Sequence, residues 1–190
     1  MKFTRIPVET FKKLTMNAGV LARAFNPETG EVEEKDIIGA TTGGTTFTAT
    51  PTFKDNGDDI DNCPKNMKEL KELENWEANM TGTYVTVDTA AAADLVAAAD
   101  VSGNKVTPRN NLQDSDFKDL WLIADYSDEN GENGGFVAVH MMNALSTGGF
   151  QLKTADKAKG QFAFTYTAHY SMEEQNKVPF ELYVKAGTAE

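Results

Sequence analysis

The residues best suited to chemistry are few and scattered. His140 and His169 are the only histidines in the 190 residues, and Cys63 is the only cysteine. Strands that brought the three together would offer a metal site, but no fixed ligand spacing supports it, and two structural histidines are expected instead. Cys63 lies between Asn62 and Pro64 with Lys65 as its one basic neighbour, so it lacks the electropositive surroundings of a nucleophile. The acidic run at residues 55–61 invites a calcium-loop reading. Gly57 falls too early for that loop and no aspartate starts a correct register, so a solvated loop is expected. Three Gly-Gly pairs, at 43–44, 134–135 and 148–149, match neither dinucleotide nor P-loop spacing and read as bulges and turns. The many carboxylates sit in polar loops. These patterns support no enzyme, no metal and no cofactor.

Composition narrows the classes further. Hydrophobic residues are 40% of the chain, an ordinary globular share, and the length suits one domain over residues 1–190. No apolar run approaches the roughly 20 residues of a membrane helix. Residues 1–7 lack the apolar core of a secretion signal, and one cysteine cannot form a disulfide within the chain. Synthesis and folding in a cytoplasm are expected. The net charge of −11, from 18 basic and 29 acidic side chains, argues against binding nucleic acid by counterion release, because a surface of that sign repels it.

The elements that position these residues are mostly strands. Phe162, Phe164, Tyr166, Ala168 and Tyr170 alternate with Gln161, Ala163, Thr165, Thr167 and His169, which predicts a strand with one face in a core. Residues 136–143 are apolar on both faces, as in a central strand covered on both sides. Residues 45–53 repeat the alternation: Phe47, Ala49, Pro51 and Phe53 on one side, Thr46, Thr48, Thr50 and Thr52 on the other. Pro51 cannot donate to a ladder, so an edge is expected there. Residues 76–87 set Trp76, Ala78, Met80, Gly82 and Tyr84 against Glu77, Asn79, Thr81 and Thr83. Three strands therefore carry large apolar residues on one face and threonines on the other. Period two places Phe47, Trp76, Met80, Tyr84, Phe162, Phe164 and Tyr166 in a core. Further strands are expected at 18–25, 120–124 and 178–184.

The remaining segments read as connections. Residues 1–15 carry Ile6, Val8, Phe11 and Leu14 without periodicity, as an arm whose apolar partners lie elsewhere. Residues 54–75 form a long charged loop with a short helix after Pro64. Thr89 is expected to cap a helix over 90–99 that packs through Ala92, Leu95, Val96 and Ala99, and Ser102-Gly103-Asn104 to stop it. Residues 107–116 read as loop and 186–190 as a frayed tail.

Several runs resemble one family. Gly39-Ala40-Thr41-Thr42-Gly43-Gly44, Asp58-Asp59-Ile60-Asp61-Asn62-Cys63-Pro64-Lys65-Asn66 and Thr107-Pro108-Arg109-Asn110-Asn111 are similar to the major tail tube protein of long, non-contractile-tailed phages. So are residues 140–150, from His140 to Phe150, and 156–162, from Asp156 to Phe162. The likeness spans nearly the whole chain in order, and its runs are structural signatures. It implies a mainly β fold, a sandwich or small barrel with one flanking helix and a long inter-strand loop. It further implies hexameric rings that stack into a tube, in a virion tail assembled in the host cytoplasm, with DNA only as transiting cargo. The tape-measure protein and the tail terminator and tail-tip proteins are the implied partners, and no membrane is involved. On that reading Thr46, Thr48, Thr50, Asn79, Thr81, Thr83, Thr165 and Thr167 face the lumen. Asp55, Asp58, Asp59, Asp61, Lys65 and Lys68 belong to a ring-stacking loop. The alternative is a β-sandwich binding module of a virion or secreted complex. Binding modules expose aromatic residues on one face, whereas the aromatic residues here alternate inward.

Overall fold

The computed structural model describes residues 19–125 and 135–185. The arm at 1–15, the Gly134 end of one Gly-Gly pair and the tail at 186–190 lie outside the described residues. Among the described residues ten strands and one α-helix follow in order: β1 (Val20–Ala22), β2 (Thr46–Asp55), β3 (Lys71–Tyr84), α1 (Thr89–Val96), β4 (Ala99–Ser102), β5 (Lys105–Pro108), β6 (Lys118–Asp125), β7 (Phe136–Ser146), β8 (Gln151–Lys153), β9 (Gln161–Thr167) and β10 (Phe180–Lys185). The fold is mainly β and antiparallel, with β4 and β5 forming a small hairpin of their own.

The other eight strands form one sheet that turns at β7. Along its first part β7 pairs with β6 on one side and β10 on the other, and β1 extends the β6 side. At Leu145 and Ser146 it pairs with β9 instead, which leads on to β3 and β2, with β8 also on β9. The switch follows a bulge, where Lys118–Leu120 spans Met141–Ala144 and Asn143 takes φ +49°. Asparagine tolerates that left-handed conformation, and bulges bend strands. The two halves close over a shared core. Leu21, Leu120, Val139 and Met141 from one half meet Met80, Tyr84, Phe164 and Tyr166 from the other. Phe47 and Phe162 pack against this cluster, and half-buried Trp76 meets the Phe180 ring edge-on at 5.5 Å. All seven predicted core residues therefore lie on the core side. Gly82 sits opposite Phe164, and a Cβ there would stand 2.5 Å from the Phe164 ring, so only glycine fits. Burial holds the Tyr84 and Tyr166 phenols above their ordinary pKa, hence neutral.

The opposite face of the first half is covered too. Ala22, Trp121, Ile123, Phe136 and Ala138 form a second cluster with Phe25, and Val32 and Tyr183 pack on it. This is why residues 136–143 are apolar on both sides.

Four local expectations are corrected. The segment at 54–75 is not all loop, because β2 runs to Asp55 and β3 starts at Lys71. Their ends are a ladder whose charged side chains face water, a pattern that apolar alternation misses. Only a 3-10 turn at Lys68–Leu70 appears in place of the helix expected after Pro64. The helix ends at Val96, not Ala99, and Asp88, not Thr89, caps it by accepting the Ala91 N–H at 2.7 Å. Its buried residues are Ala91 and Leu95. Finally, Gly103-Asn104 is the turn between β4 and β5, with Ser102 the last residue of β4, where a helix stop and then a loop were expected.

Candidate functional site

The strand register puts the threonines in rows. Thr46 pairs with Thr81 and Thr81 with Thr165; Thr48 pairs with Asn79 and Asn79 with Thr167. Thr50 pairs with Glu77, and Thr83 with Ala163, beside Gln151 on β8. All eight residues predicted for this face therefore occupy one side of β2, β3 and β9, opposite the core. Thr46, Thr48, Thr50 and Thr81 are exposed, and Asn79, Thr83, Thr165 and Thr167 are half-buried.

The rows are tied by side-chain hydrogen bonds. The Thr167 hydroxyl donates to Asn79 Oδ1 at 2.6 Å and shares a 2.9 Å contact with the Thr147 hydroxyl. Asn79 Nδ2 donates to Glu77 Oε1 at 2.9 Å. Thr147 joins because its N–H donates to the Thr165 carbonyl at 2.8 Å, and Gly148 follows at 3.3 Å. A Cβ on Gly148 would lie 3.1 to 3.2 Å from Thr165, so this close approach favours glycine. Sequence reasoning missed Thr147, which precedes a Gly-Gly pair and shows no alternation. The two middle rows are uncharged, but Glu77 stands beside Thr50 at one end, and Lys153 pairs with Gln161 at the other.

Beyond this face the β2–β3 hairpin projects. Residues 52–54 and 71–75 are exposed on both sides, including Phe53 and Leu73. Its end is organised by Asp55, whose carboxylate accepts the N–H groups of Gly57 and Asn66, both at 3.1 Å. The Gly57 hydrogen bond is the largest influence holding the Asp55 carboxyl below its ordinary pKa, and Lys71 adds to it. Asn56 N–H donates to the Leu70 carbonyl, and Lys71 to Asn66 Oδ1. Asn62 and Asn66 take positive φ. Asp58, Asp59, Asp61, Lys65 and Lys68 are exposed around this end. Asp55, expected among the stacking residues, is an internal anchor.

The histidines do not form one site. His140 stacks on Trp121, with ring centroids 4.0 Å apart, and its Nε2 lies 3.0 Å from Asp119 Oδ2. His169 instead meets the Phe117 ring edge-on and contacts the Asn143 carbonyl through Nδ1 at 3.2 Å. Among the described residues no cluster of histidine, cysteine and carboxylate side chains is arranged to hold a metal ion, and no helix is long and apolar enough to cross a membrane.

Comparison with solved structures finds similar chains. A chain from a structure of the virion of a native gene transfer agent particle aligns over 89% of this chain and 96% of its own, at 10% identity and a TM-score of 0.43. At that identity and score the likeness assigns no role to any residue here. No family model and no curated protein matches the chain.

Proposed function

We propose that this chain is the structural subunit of a phage tail tube, assembling as hexameric rings that stack into a conduit for DNA. One observation carries the reading: a neutral threonine face spans three strands on the side away from the core. A bore for DNA must be polar without being basic, since each lysine or arginine would hold a phosphate. Threonine supplies hydroxyls at little bulk, and Glu77 adds only a charge of the same sign as DNA. Two further features agree with assembly. β2 pairs only with β3 and β8 only with β9 among the described residues, so both margins of this half-sheet offer unpaired strands to another copy. The family resemblance in the sequence points the same way and adds the tape-measure, terminator and tail-tip proteins as partners. The chain would then reside in the virion tail after assembly in the host cytoplasm.

The test places a cation on the face. In virions built from the Thr48→Lys chain, tails should assemble, because the side chain is exposed. DNA ejection should become slower and dependent on salt, since a ring of lysines along the bore attracts the backbone. Normal tails with unaltered ejection at every salt concentration would remove Thr48 from the bore.

A further inference from the structure

An open groove of about 450 Å3 lies where the chain enters β6 and leaves β9. Phe117, Tyr170 and Met172 give it apolar surface, and Asp114 and Glu173 give it two carboxylates. The volume is within the roughly 300–1,000 Å3 of ordinary small-molecule sites. None of its lining residues belongs to the threonine face, so what it binds is independent of the tube reading.

The polar groups of the groove are left as acceptors. Asp116 and Glu174, beside the two carboxylates, pair with Arg109 and Lys177. No cation among the described residues pairs with Asp114 or Glu173, and no lysine or arginine among them lines the groove. His169 and Asn143, which also line it, are tied to each other twice. The Asn143 side-chain amide donates to the His169 carbonyl at 3.3 Å, and His169 Nδ1 lies 3.2 Å from the Asn143 carbonyl. A carbonyl only accepts, so Nδ1 carries the proton and Nε2 of the neutral ring is an acceptor. The Asn143 side-chain oxygen is left over as a further acceptor. The Tyr170 hydroxyl is engaged already, since it accepts the Trp76 N–H at 2.9 Å, and that bond holds its ring in the wall.

Acceptors and carboxylates without a cation call for a ligand that is positively charged and rich in N–H donors. The apolar surface beside them calls for a body without polar atoms. Met172 is 88% exposed and adaptable enough to cover such a body, and the faces of the Phe117 and Tyr170 rings attract cations. The two carboxylates come from separate segments, the 3-10 turn Asp114–Asp116 and the stretch after β9, so they suit two charges held apart. A bare divalent ion would be ligated by oxygen atoms and leave the apolar wall without a partner. An aliphatic polyamine meets every requirement, with ammonium groups spaced along methylenes. We propose that the groove binds an aliphatic diamine or polyamine, its ammonium groups on Asp114 and Glu173 and its methylenes against Met172, Phe117 and Tyr170.

Calorimetric titration of the full-length chain with spermidine tests it, with putrescine, a neutral alkanediol and magnesium chloride compared at one ionic strength. Saturable binding of both amines is expected, weakening as salt rises, with a raised melting temperature at saturation. The diol should not bind, and magnesium should not displace spermidine. In the unsubstituted chain the Met172 methyl resonance should shift along the same saturation curve. The Asp114→Asn, Glu173→Gln chain should bind about tenfold more weakly, and Met172→Ser should also weaken binding. All three side chains are exposed, so the melting temperatures without ligand should not change. Absent binding overturns the site. Binding that survives the double neutralisation, or leaves the Met172 methyl unmoved, overturns it too, since the acidic surface at large would then be the attraction. Displacement by magnesium at equal ionic strength does the same. A lysine-rich peptide that binds the groove where free polyamines do not would make the partner a protein and overturn the polyamine assignment.

Discussion

The two halves of the sheet share a core but differ on their outer faces. On the first half, Trp121, Ile123, Phe136 and Ala138 are buried under Phe25, with Val32 and Tyr183 packed on the cluster. On the second half, rows of threonine and asparagine stand open. A sheet face that needs cover is made apolar and covered within the chain. A face that stays open in one chain needs groups that remain satisfied in water and, in an assembly, beside a polyanion. Threonine meets both needs because it is β-branched for the strand and hydroxylated for the solvent.

Substitution on the two outer faces should separate them most. Ile123→Ala removes a side chain only 8% exposed, and a loss of about 2–5 kcal/mol is expected for such a truncation, read as a shift in the urea midpoint. Thr48→Lys should change the stability of the free subunit by at most about 0.5 kcal/mol, as for an ordinary surface position. Comparable losses at the two positions would mean that the threonine face is covered within the subunit, and the contrast would fail.

The smallest expected effect concerns the projecting hairpin. The folded Asp55 pKa is lowered from the ordinary 3.8, so its contribution is complete above the unfolded value and is lost as pH falls through the folded one. The amide shifts of Gly57 and Asn66, which donate to that carboxylate, should titrate with a midpoint below 3.8. A midpoint at or above that value would show that Asp55 does not organise the hairpin end.

Much of this contrast was legible in the chain itself. Alternation located the cores of β2, β3 and β9 and gave each threonine its side, because period two is strict wherever one face is buried. It failed where burial stops. Lys54, Asp55 and residues 71–75 carry no apolar rhythm, yet they continue the ladder. In β10 the alternation of Phe180, Leu182 and Val184 located the strand, but Leu182 and Val184 lie beyond the cover of the opposite half, at 59% and 67% exposed. Helix length was misjudged because Ala97, Ala98 and Ala99 suit a helix, while Ala97 adopts φ +75° and the chain turns into β4. The groove could not be foreseen, since it gathers Asp114, Phe117, Asn143 and residues 169–173 across a bulge.

The central claim is that the open threonine face lines a bore. A cryo-electron microscopy reconstruction of the polymer formed by the purified chain tests it most directly. The account predicts stacked six-fold rings with Thr48, Asn79, Thr81 and Thr167 on the inner wall and the Phe25–Trp121 cluster outside. A polymer with those residues on its outer wall, or a chain that stays monomeric at high concentration in every salt condition, would contradict it.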